Sequence, residues 1–432
     1  MLDCENQRNV ETVVSIIAAI FLQNSFIDAK YHTMRAKILK KVYVALSGGV
    51  DSSVAAALLE KRGFNVTGVY MKQWTPEILG RECLWKRDRE DALRVAVKLN
   101  IPLLTWDFSK EYEKEVGKYM IDAYRRGITP NPDVMCNKVI KFGLFFKKAM
   151  KEGADFIATG HYARLWKEPV PRLPLDSPAR NLAAFRRSLS RSARTMSASL
   201  LEARFVTSSF RNKLTAARDK NKDQTYFLWT LNQKILAKTL FPIGDYTKLE
   251  VRKMAKKFGL PTADKKDSQG VCFIGPLNIK QFLKEYIKPK KGKIILIDSL
   301  SLRSGRSNNK VIGTHDGVYY YTIGQRHGLD IKLGGGPYYI VKKDVKKNII
   351  YVGSESDLRA SQVRIKDLHW LNKPKRFPVL PDVKIRYRTP SDKATLSAGG
   401  NLRFKKPQRA ITSGQSAVFY RGQELIGGGI IK

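Results

Sequence analysis

Hydrophobic residues between positions 40 and 160 fall into short apolar runs that alternate with helical periods. Four runs have the length of a buried strand: residues 42–46, 66–71, 103–106 and 156–158. Helical periods separate them, for example residues 54–61, which are rich in alanine and leucine and are followed by Gly63. Strands that alternate with helices predict βαβ units and a doubly wound parallel sheet, which binds its ligand at the carboxyl ends of the strands.

The hydrophobic pattern changes twice after residue 220. Three helical periods cover residues 226–238, 247–258 and 278–287, and the second begins with the capping box Thr247 and Glu250. After residue 293 the period becomes two, which predicts a small β-barrel, in runs at 294–297, 318–322, 338–341, 349–352, 383–388, 416–420 and 424–426. The predicted fold class is α/β, with a doubly wound parallel-sheet catalytic domain (34–230), a small, mostly helical central domain (231–300) and a C-terminal β-barrel (301–432).

Two segments do not fit this organisation. Residues 1–33 contain an apolar run too short to span a bilayer, and their acidic residues distinguish them from secretory and mitochondrial leaders. We therefore expect a cytoplasmic protein, with Met34 as an alternative start. Residues 165–220 are rich in proline, serine and arginine, which predicts a flexible basic insertion; a small helical subdomain is the alternative.

Composition narrows the classes of function. The 432-residue chain is long enough for two or three domains, and its hydrophobic fraction of 43% is typical of a folded globular protein and not of a membrane protein. The 79 Lys and Arg residues against 39 Asp and Glu residues give a net charge of +40. This charge favours a polyanionic partner such as nucleic acid, unless the whole proteome is basic. Four cysteines without a CxxC pair argue against a disulfide scaffold and predict no permanently bound metal.

The clearest candidate site is the segment Ser47-Gly-Gly-Val-Asp-Ser-Ser53, between a predicted strand and a predicted helix. Its glycines let the backbone close around an anion, and the helix N-terminus directs N–H groups toward it. The segment has no lysine, so it is not a GxxxxGK[ST] loop, and it does not match GxGxxG. The alternative is an ordinary glycine turn before a helix.

This segment resembles the loop of the pyrophosphatase-loop ATP family, which holds pyrophosphate while AMP is transferred to a carbonyl or carboxylate oxygen. Further motifs resemble those of tRNA-specific 2-thiouridylases: TPNPDVMCN from Thr129, IKFG from Ile140, ATGHYA from Ala158, KDQTYF from Lys222, KKDSQGVCFIG from Lys265, YTIGQR from Tyr321 and GQ at Gly414. The resemblance covers residues 40–164 and 221–432. It implies an ATP-dependent enzyme that replaces the C2 oxygen of a wobble uridine by sulfur from a cysteine persulfide.

The resemblance also implies roles for individual residues. Those that match the ATP site are Ala45, Leu46, Ser47, Gly48, Gly49, Val50, Asp51, Ser52, Met71 and Gly160. Those that match contacts with the target base or the rest of the tRNA are Asn131, Pro132, Asp133, His161, Lys222, Asp223, Gln224, Arg386, Tyr387 and Gln415. The implied cofactors and partners are ATP with Mg²⁺, tRNA and a persulfide-donating sulfur carrier protein, with no membrane. A solvated surface position for His161 and ordinary strand positions for the barrel residues are the alternatives.

Sulfur transfer requires one group that carries sulfur and a second group that releases it, and two cysteines can supply both. By the resemblance, Cys272 carries the persulfide and Cys136, in a proline-rich loop, is the second thiol. The alternative for each is a buried filler. Asp133, three residues before Cys136, is a candidate proton acceptor or else a turn cap.

Two other functions stay open at this point. An amidating ligase could use the same loop, but it needs an ammonia source, and the sequence shows no glutaminase domain. A tRNA-binding protein without activity could keep the fold, but the intact loop and both cysteines argue against it.

Overall fold

The computed structural model describes residues 39–76, 84–169, 210–266, 279–297 and 310–432. The extension 1–33, residues 170–209 of the predicted insertion and Cys272 lie outside the described residues. The described residues form a parallel sheet, a mixed sheet and a C-terminal barrel, which confirms the predicted fold class. No helix in these ranges is long and apolar enough to cross a membrane.

The strands of the described residues are, in chain order, β1 (Lys41–Ala45), β2 (Asn65–Lys72), β3 (Leu103–Asp107), β4 (Phe156–Thr159), β5 (Ala163–Pro169), β6 (Phe210–Ala216), β7 (Thr239–Leu240), β8 (Gly292–Leu296), β9 (Lys310–His315), β10 (Tyr339–Asp344), β11 (Ile349–Gly353), β12 (Arg359–Trp370), β13 (Asp382–Lys384), β14 (Asp392–Leu396), β15 (Asn401–Arg409), β16 (Ser416–Arg421) and β17 (Glu424–Ile431).

The α-helices are α1 (Val50–Lys61), α2 (Leu84–Lys98), α3 (Ser109–Tyr112), α4 (Lys118–Arg125), α5 (Pro132–Met135), α6 (Phe146–Lys151), α7 (Gln233–Leu236), α8 (Lys248–Lys257) and α9 (Ile279–Tyr286). Two π-helical segments cover Glu113–Gly117 and Cys136–Phe145, and 3₁₀ turns cover Thr225–Phe227, Val318–Tyr320 and Ser356–Leu358. The capping box of α8 is present, with Thr247 accepting from the N–H of Glu250, as the sequence predicts.

The N-terminal sheet is parallel, and its strands lie in the order β3-β2-β1-β4-β7. The chain order therefore reverses between β1 and β4, and the loops after these two strands open into a crevice at the carboxyl edge. On one face of the sheet, α1 and α8 pack together through Val54, Ala55, Val251 and Ala255, all fully buried. This packing brings residues that follow β7 next to the loop that follows β1.

The barrel is formed by the strands in the order β12-β15-β14-β13-β16-β17, and a second pairing of β17 with β12 closes it. Val383, Phe404 and Phe419 fill its interior. On β17, a Cβ atom at Gly428 would lie 2.8 Å from the ring of Trp229. Glycine at this position therefore allows Trp229, from the segment before α7, to pack directly on the barrel.

A separate mixed sheet has the order β10-β11-β8-β9, so strands that the sequence assigned to one barrel are divided between two sheets. Residues 318–322, predicted as a strand, form the 3₁₀ turn Val318–Tyr320 instead. At the start of this turn, the N–H groups bond to side chains: Gly317, just before it, donates to His315 Nδ1 (3.0 Å), and Val318 donates to Asn348 Oδ1 (3.1 Å). These bonds replace those of a neighbouring strand.

The predicted helix at 226–238 is also wrong, because only α7 within it is α-helical. The Tyr226 hydroxyl donates to the carbonyl of Ser416 (3.0 Å), and Trp229 Nε1 donates to Ser416 Oγ (3.0 Å). The helical spacing of these aromatic residues therefore reflects their contact with the barrel and not a continuous helix.

At both ends of residues 165–220, where the sequence predicts a flexible insertion, the structure has strands. Strands β5 and β6 form a hairpin that is paired from Ala163 with Ala216 to Pro169 with Phe210. Strand β6 continues onto β17 of the barrel, and Leu214 is fully buried. Most of the prolines, serines and arginines that predicted a flexible insertion lie in residues 170–209, outside the described residues.

We expect that replacing residues 171–208 by a short Gly-Ser linker leaves the melting temperature within a few degrees of the wild type. The described pairing of the hairpin ends at Pro169 and Phe210, so the deletion leaves all described strand residues in place. Differential scanning fluorimetry measures the effect. A matched deletion of 165–214, which removes buried Leu214, should lower the melting temperature clearly. Equal effects of the two deletions would contradict this account of the hairpin.

Candidate nucleotide and sulfur-transfer site

The segment from Ser47 to Ser53 leaves β1 at the carboxyl edge of the sheet and runs into α1, as predicted. Gly48 has a φ of +72°, and a Cβ atom there would collide with the backbone carbonyl of Asp88 in α2. A left-handed residue packed against a second helix requires glycine. The loop is therefore held by the sheet below it and by α2 beside it.

Serine hydroxyl groups determine the shape of this loop. The N–H of Ser47 donates to Ser52 Oγ (3.2 Å), and the hydroxyls of Ser52 and Ser53 donate to the carbonyl of Gly49 (3.1 and 2.8 Å). Ser53 Oγ also accepts from the hydroxyl of Thr262 (3.1 Å). Because the Gly49 carbonyl points toward the helix, the first N–H groups of α1 face the crevice, where an anion can bind.

Gly160, directly after β4, lies against the first turn of α1. A Cβ atom at Gly160 would be 2.7 Å from the backbone nitrogen of Ser52 and 2.8 Å from the carbonyl carbon of Asp51. The remaining residues of the predicted ATP site lie at the carboxyl ends of β1 and β2 or directly after β1: Ala45, Leu46 and Val50 are buried and Met71 is half-buried. The structure therefore brings the predicted ATP residues together at the point where the strand order reverses.

Asp51 has two partners that lie far away in the sequence. Its Oδ1 accepts from Lys248 Nζ (2.7 Å) and from the Tyr162 hydroxyl (2.8 Å). The side chain of Lys248 is only 12% exposed, against 33% for Asp51. The carboxylate is therefore oriented by two donors at the start of α1.

Lys265 holds the loop from another side. Its Nζ donates to the carbonyl of Gly48 (3.1 Å), to Asp88 (2.8 Å) and to Asp91 (2.6 Å). Although partial burial opposes the charge, the hydrogen bonds to both carboxylates raise the pKa of Lys265. Arg252 in turn holds the carbonyl of Lys265 (3.1 Å). Lys265 thus joins the loop, α2 and the segment after α8.

Cys136 lies in a helix and not in the loop that the sequence predicts. Asn131 caps α5 by accepting from the N–H of Val134 (3.3 Å), and the following proline occupies the first helical position. The helix continues through Cys136–Phe145, and Cys136 is 1% exposed. Asp133 belongs to the first turn of α5, so the cap is Asn131 and not Asp133.

His161 connects this helix to the loop after β4. Its ring lies 5.8 Å from that of Phe142, and its Nδ1 is 2.8 Å from Thr159 Oγ1. His161 is buried, which rules out the solvated alternative. Burial, with a smaller effect from Lys141, holds the pKa of His161 well below its usual range, so the ring is neutral at neutral pH.

The barrel holds the residues that precede α5. Gln415 Nε2 donates to the carbonyls of Thr129 and Pro130 (3.0 Å each), and the N–H of Thr129 donates to the carbonyl of Ser413 (3.1 Å). A Cβ atom at Gly414 would lie 2.7 Å from the carbonyl oxygen of Thr129. The start of the Cys136 helix is therefore seated on the barrel.

Two further residues predicted to contact tRNA, Arg386 and Tyr387, lie beside the contact between the barrel and the residues that precede α5. Arg386 donates to the carbonyl of Ala410 (2.8 Å) and to the Thr412 hydroxyl (3.1 Å), and burial lowers the pKa of its guanidinium. The rings of Tyr387 and Phe227 are 4.6 Å apart. Arg386 also lines a cavity of ≈ 430 Å³ between the barrel, the mixed sheet and the segment before α5.

The predicted contact segment 222–224 has mainly internal partners. Asp223 is buried and accepts from the N–H (3.2 Å) and the hydroxyl (2.8 Å) of Thr225. Gln224 accepts from the N–H of Tyr162 (2.9 Å). Lys222 is partly exposed. Gln224 is half-buried, as Lys222 is.

The sequence assigned no role to Tyr162, Lys248 or Lys265. Tyr162 and Lys265 lie inside motifs that resemble those of the family, so the sequence could have marked them as site residues. Lys248 was recognisable only as the first residue of a capped helix. Within the described ranges, no group of three His, Cys, Asp or Glu side chains could hold a metal ion.

Family models match three consecutive parts of the chain. A tRNA methyl transferase HUP domain matches residues 40–276, a tRNA methyl transferase PRC-barrel domain matches residues 280–354, and an aminomethyltransferase beta-barrel domain matches residues 360–431. The segment from Ser47 to Ser53 lies at the switch point of the sheet, where the strand order reverses between β1 and β4. Together with this position, the matches define a nucleotide-binding α/β enzyme domain followed by two β domains.

Curated relatives identify the family. The chain is 40% identical to a tRNA-specific 2-thiouridylase of Geobacillus kaustophilus over 90% of this chain and 94% of that protein. It is 39% identical to one of Flavobacterium johnsoniae (91% and 100%) and 41% identical to one of Streptococcus thermophilus (90% and 95%). The chain belongs to the tRNA-specific 2-thiouridylase family.

We expect Gly160→Ala to weaken ATP binding at least tenfold, because the added methyl group would displace the backbone of Ser52 and Asp51. Isothermal titration calorimetry with ATP measures the loss. Gly399→Ala is the matched control, since a Cβ atom there meets nothing within 4 Å. ATP affinity that stays unchanged in Gly160→Ala would show that nucleotide binds elsewhere.

Proposed function

We propose that the protein is a tRNA-uridine 2-sulfurtransferase, which adenylates the C2 oxygen of a wobble uridine and replaces it with sulfur from a cysteine persulfide. The proposal rests above all on one contact. Phe142 lies in the helix that begins with Cys136 and packs on His161. His161 follows Gly160, which contacts the backbone of Asp51 and Ser52 in the segment from Ser47 to Ser53, called the phosphate loop below. An anion-binding loop and a cysteine-bearing helix thus meet at one edge of the sheet. The names of the relatives support the same reaction.

The first step activates the base. The uridine C2 oxygen attacks the α-phosphorus of ATP, the bond from this phosphorus to the bridging oxygen breaks, and pyrophosphate leaves. The N–H groups at the start of α1 stabilise the charge that develops on the leaving group. Mg²⁺ that accompanies the phosphates would find in Asp51 an oxygen ligand of the type it prefers.

The second step delivers sulfur. The terminal sulfur of a persulfide on Cys272 attacks C2, and AMP leaves with the former C2 oxygen. The Cys136 thiolate then attacks the Cys272 sulfur, which forms a Cys136–Cys272 disulfide and releases 2-thiouridine. A sulfur carrier protein supplies the persulfide, and a reductant restores both thiols. Asp133, one turn before Cys136 in the same helix, accepts the proton that the target base or a thiol loses.

The tRNA lies across the catalytic domain and the barrel in this proposal. Asn131, Pro132 and Asp133 meet the target base, while Lys222, Arg386, Tyr387 and Gln415 contact the rest of the tRNA. Since Asp223 and His161 are buried, they shape this surface by positioning their neighbours, whereas half-buried Gln224 contacts the tRNA beside Lys222. The net charge of +40 favours the association.

Methyl transfer is the competing function, because two family models carry that word in their descriptions. A loop that binds pyrophosphate and a buried cysteine at the adjacent helix favour adenylation and thiolation instead. Incubation of an unmodified tRNA transcript with ATP, a persulfide donor, a reductant and a methyl donor, followed by nucleoside mass spectrometry, separates the two. A sulfur-for-oxygen exchange that depends on ATP supports the proposal, whereas a methyl gain or no change would refute it.

We expect Cys136→Ser to abolish thiolation while tRNA binding survives, because a hydroxyl cannot form the disulfide that releases the product. Thiolation of a tRNA transcript and a filter-binding assay measure the two effects. Cys272→Ser should behave in the same way, and Cys83→Ser, a cysteine outside the recognised motifs, is the control. Thiolation by Cys136→Ser at the wild-type rate would exclude the two-cysteine mechanism.

Binding of tRNA should weaken steeply with salt. Each phosphate that a Lys or Arg neutralises contributes a slope of about −0.7 to −0.9 in the plot of log K against log salt. Fluorescence anisotropy at a series of KCl concentrations measures the slope. A slope near zero would mean that the basic composition has no part in binding the substrate.

A further inference from the structure

The phosphate loop contains no cationic side chain. From Ser47 to Ser53 the charged residue is Asp51, which adds a negative charge where pyrophosphate is expected to bind. In loops of the GxxxxGK[ST] type, a lysine within the loop reaches the β- and γ-phosphates. The positive end of the α1 dipole corresponds to only about half an elementary charge. A cationic side chain from another part of the chain would therefore stabilise a polyphosphate at this loop, in addition to any Mg²⁺ that accompanies it.

Helix α8 brings Lys248 to the loop. Lys248 is the first residue of α8, directly after the N-cap Thr247, and its backbone N–H donates to Asp219 Oδ2 (3.0 Å). The helix packs on α1 through fully buried Val251 and Ala255. The backbone of Lys248 is therefore fixed independently of where its side chain points.

The side chain of Lys248 reaches into the loop. It is 12% exposed, and its Nζ is 2.7 Å from Asp51 Oδ1. Asp51 keeps a second donor in the Tyr162 hydroxyl (2.8 Å), so its carboxylate stays oriented when the lysine moves. Lys248 can therefore exchange one anionic acceptor for another at little cost in desolvation.

Lys265, the other lysine at the loop, has a positioning role and not a ligand-binding role. Its three N–H donors meet three acceptors: the carbonyl of Gly48, Asp88 and Asp91. Binding a phosphate would separate Lys265 from two carboxylates that lie close together, which then repel each other. Lys265 therefore positions the loop, and Lys248 is the cation that can turn toward a ligand.

We propose that Lys248 binds the β- and γ-phosphates of ATP and then the pyrophosphate leaving group, and so supplies the cation that the loop lacks. This inference rests on the proposed function, since it takes the loop as the site of ATP. On nucleotide binding, Lys248 Nζ leaves Asp51 for a phosphate oxygen, and the Tyr162 hydroxyl retains the Asp51 carboxylate. Lys248 contacts the phosphates beyond the α-phosphate, so AMP does not engage it.

The test is calorimetric titration of Lys248→Met with pyrophosphate, ATP and AMP, in the absence of tRNA and sulfur donor. We expect affinity for pyrophosphate and ATP to fall about tenfold to a hundredfold, as for loss of one charge-assisted hydrogen bond. AMP affinity should change less than about twofold, which also shows that the site is folded. Lys248→Arg should retain most of the affinity for pyrophosphate. Lys253→Met, an exposed position of the same helix, is the matched control.

Two results would overturn the inference: unchanged pyrophosphate affinity in Lys248→Met, or an equal loss for AMP and pyrophosphate, which would mark a structural role through Asp51. A wild-type protein that binds neither ATP nor pyrophosphate would overturn the proposed function as well. Selective loss of pyrophosphate affinity supports the role of Lys248 even if the wild type then fails to thiolate tRNA.

Discussion

The candidate site depends on two places where backbone packs against backbone without room for a Cβ atom. Gly160 lies against the first turn of α1, and Gly48 lies against the carbonyl of Asp88 in α2. These contacts hold the phosphate loop from two sides, while Lys265 binds the Gly48 carbonyl from a third. The loop can keep its shape only while β1, β4 and α2 keep their positions. The contacts that hold β1, β4 and α2 together therefore also fix the loop that we propose as the nucleotide site.

The helix that carries Cys136 is positioned by two domains at once. On the barrel side, Gln415 binds the carbonyls of Thr129 and Pro130 just before the helix begins. On the sheet side, Phe142 packs on buried His161. The barrel is also joined to the catalytic domain through β6 and β17. The position of Cys136 is therefore fixed relative to the barrel, as the proposed binding of tRNA across both domains requires.

Local signals predicted some elements correctly and failed at others for a common reason. The glycine–serine turn between β1 and α1 and the capping box at Thr247 depend on residues a few positions apart, and both are observed. The predicted strand at 318–322 and the predicted helix at 226–238 are wrong because Asn348 and Ser416 bind them from distant parts of the chain. Asp223 and Gln224 matched motif positions, yet their partners are internal, which a motif cannot show. The assigned roles of Cys136 and Cys272 stay predictions.

By itself, the sequence determined the alternation of strands and helices, the glycine–serine loop at the end of β1 and the family resemblance. Each of these features depends on residues that are close together in the chain. Only the tertiary structure decided that Lys248 and Lys265 meet this loop, from positions 197 and 217 residues further along the chain. It also decided that Cys136 is buried in a helix seated on the barrel. Such contacts follow from how α8 packs on α1 and how the barrel closes, and no local period or spacing specifies a partner across that distance.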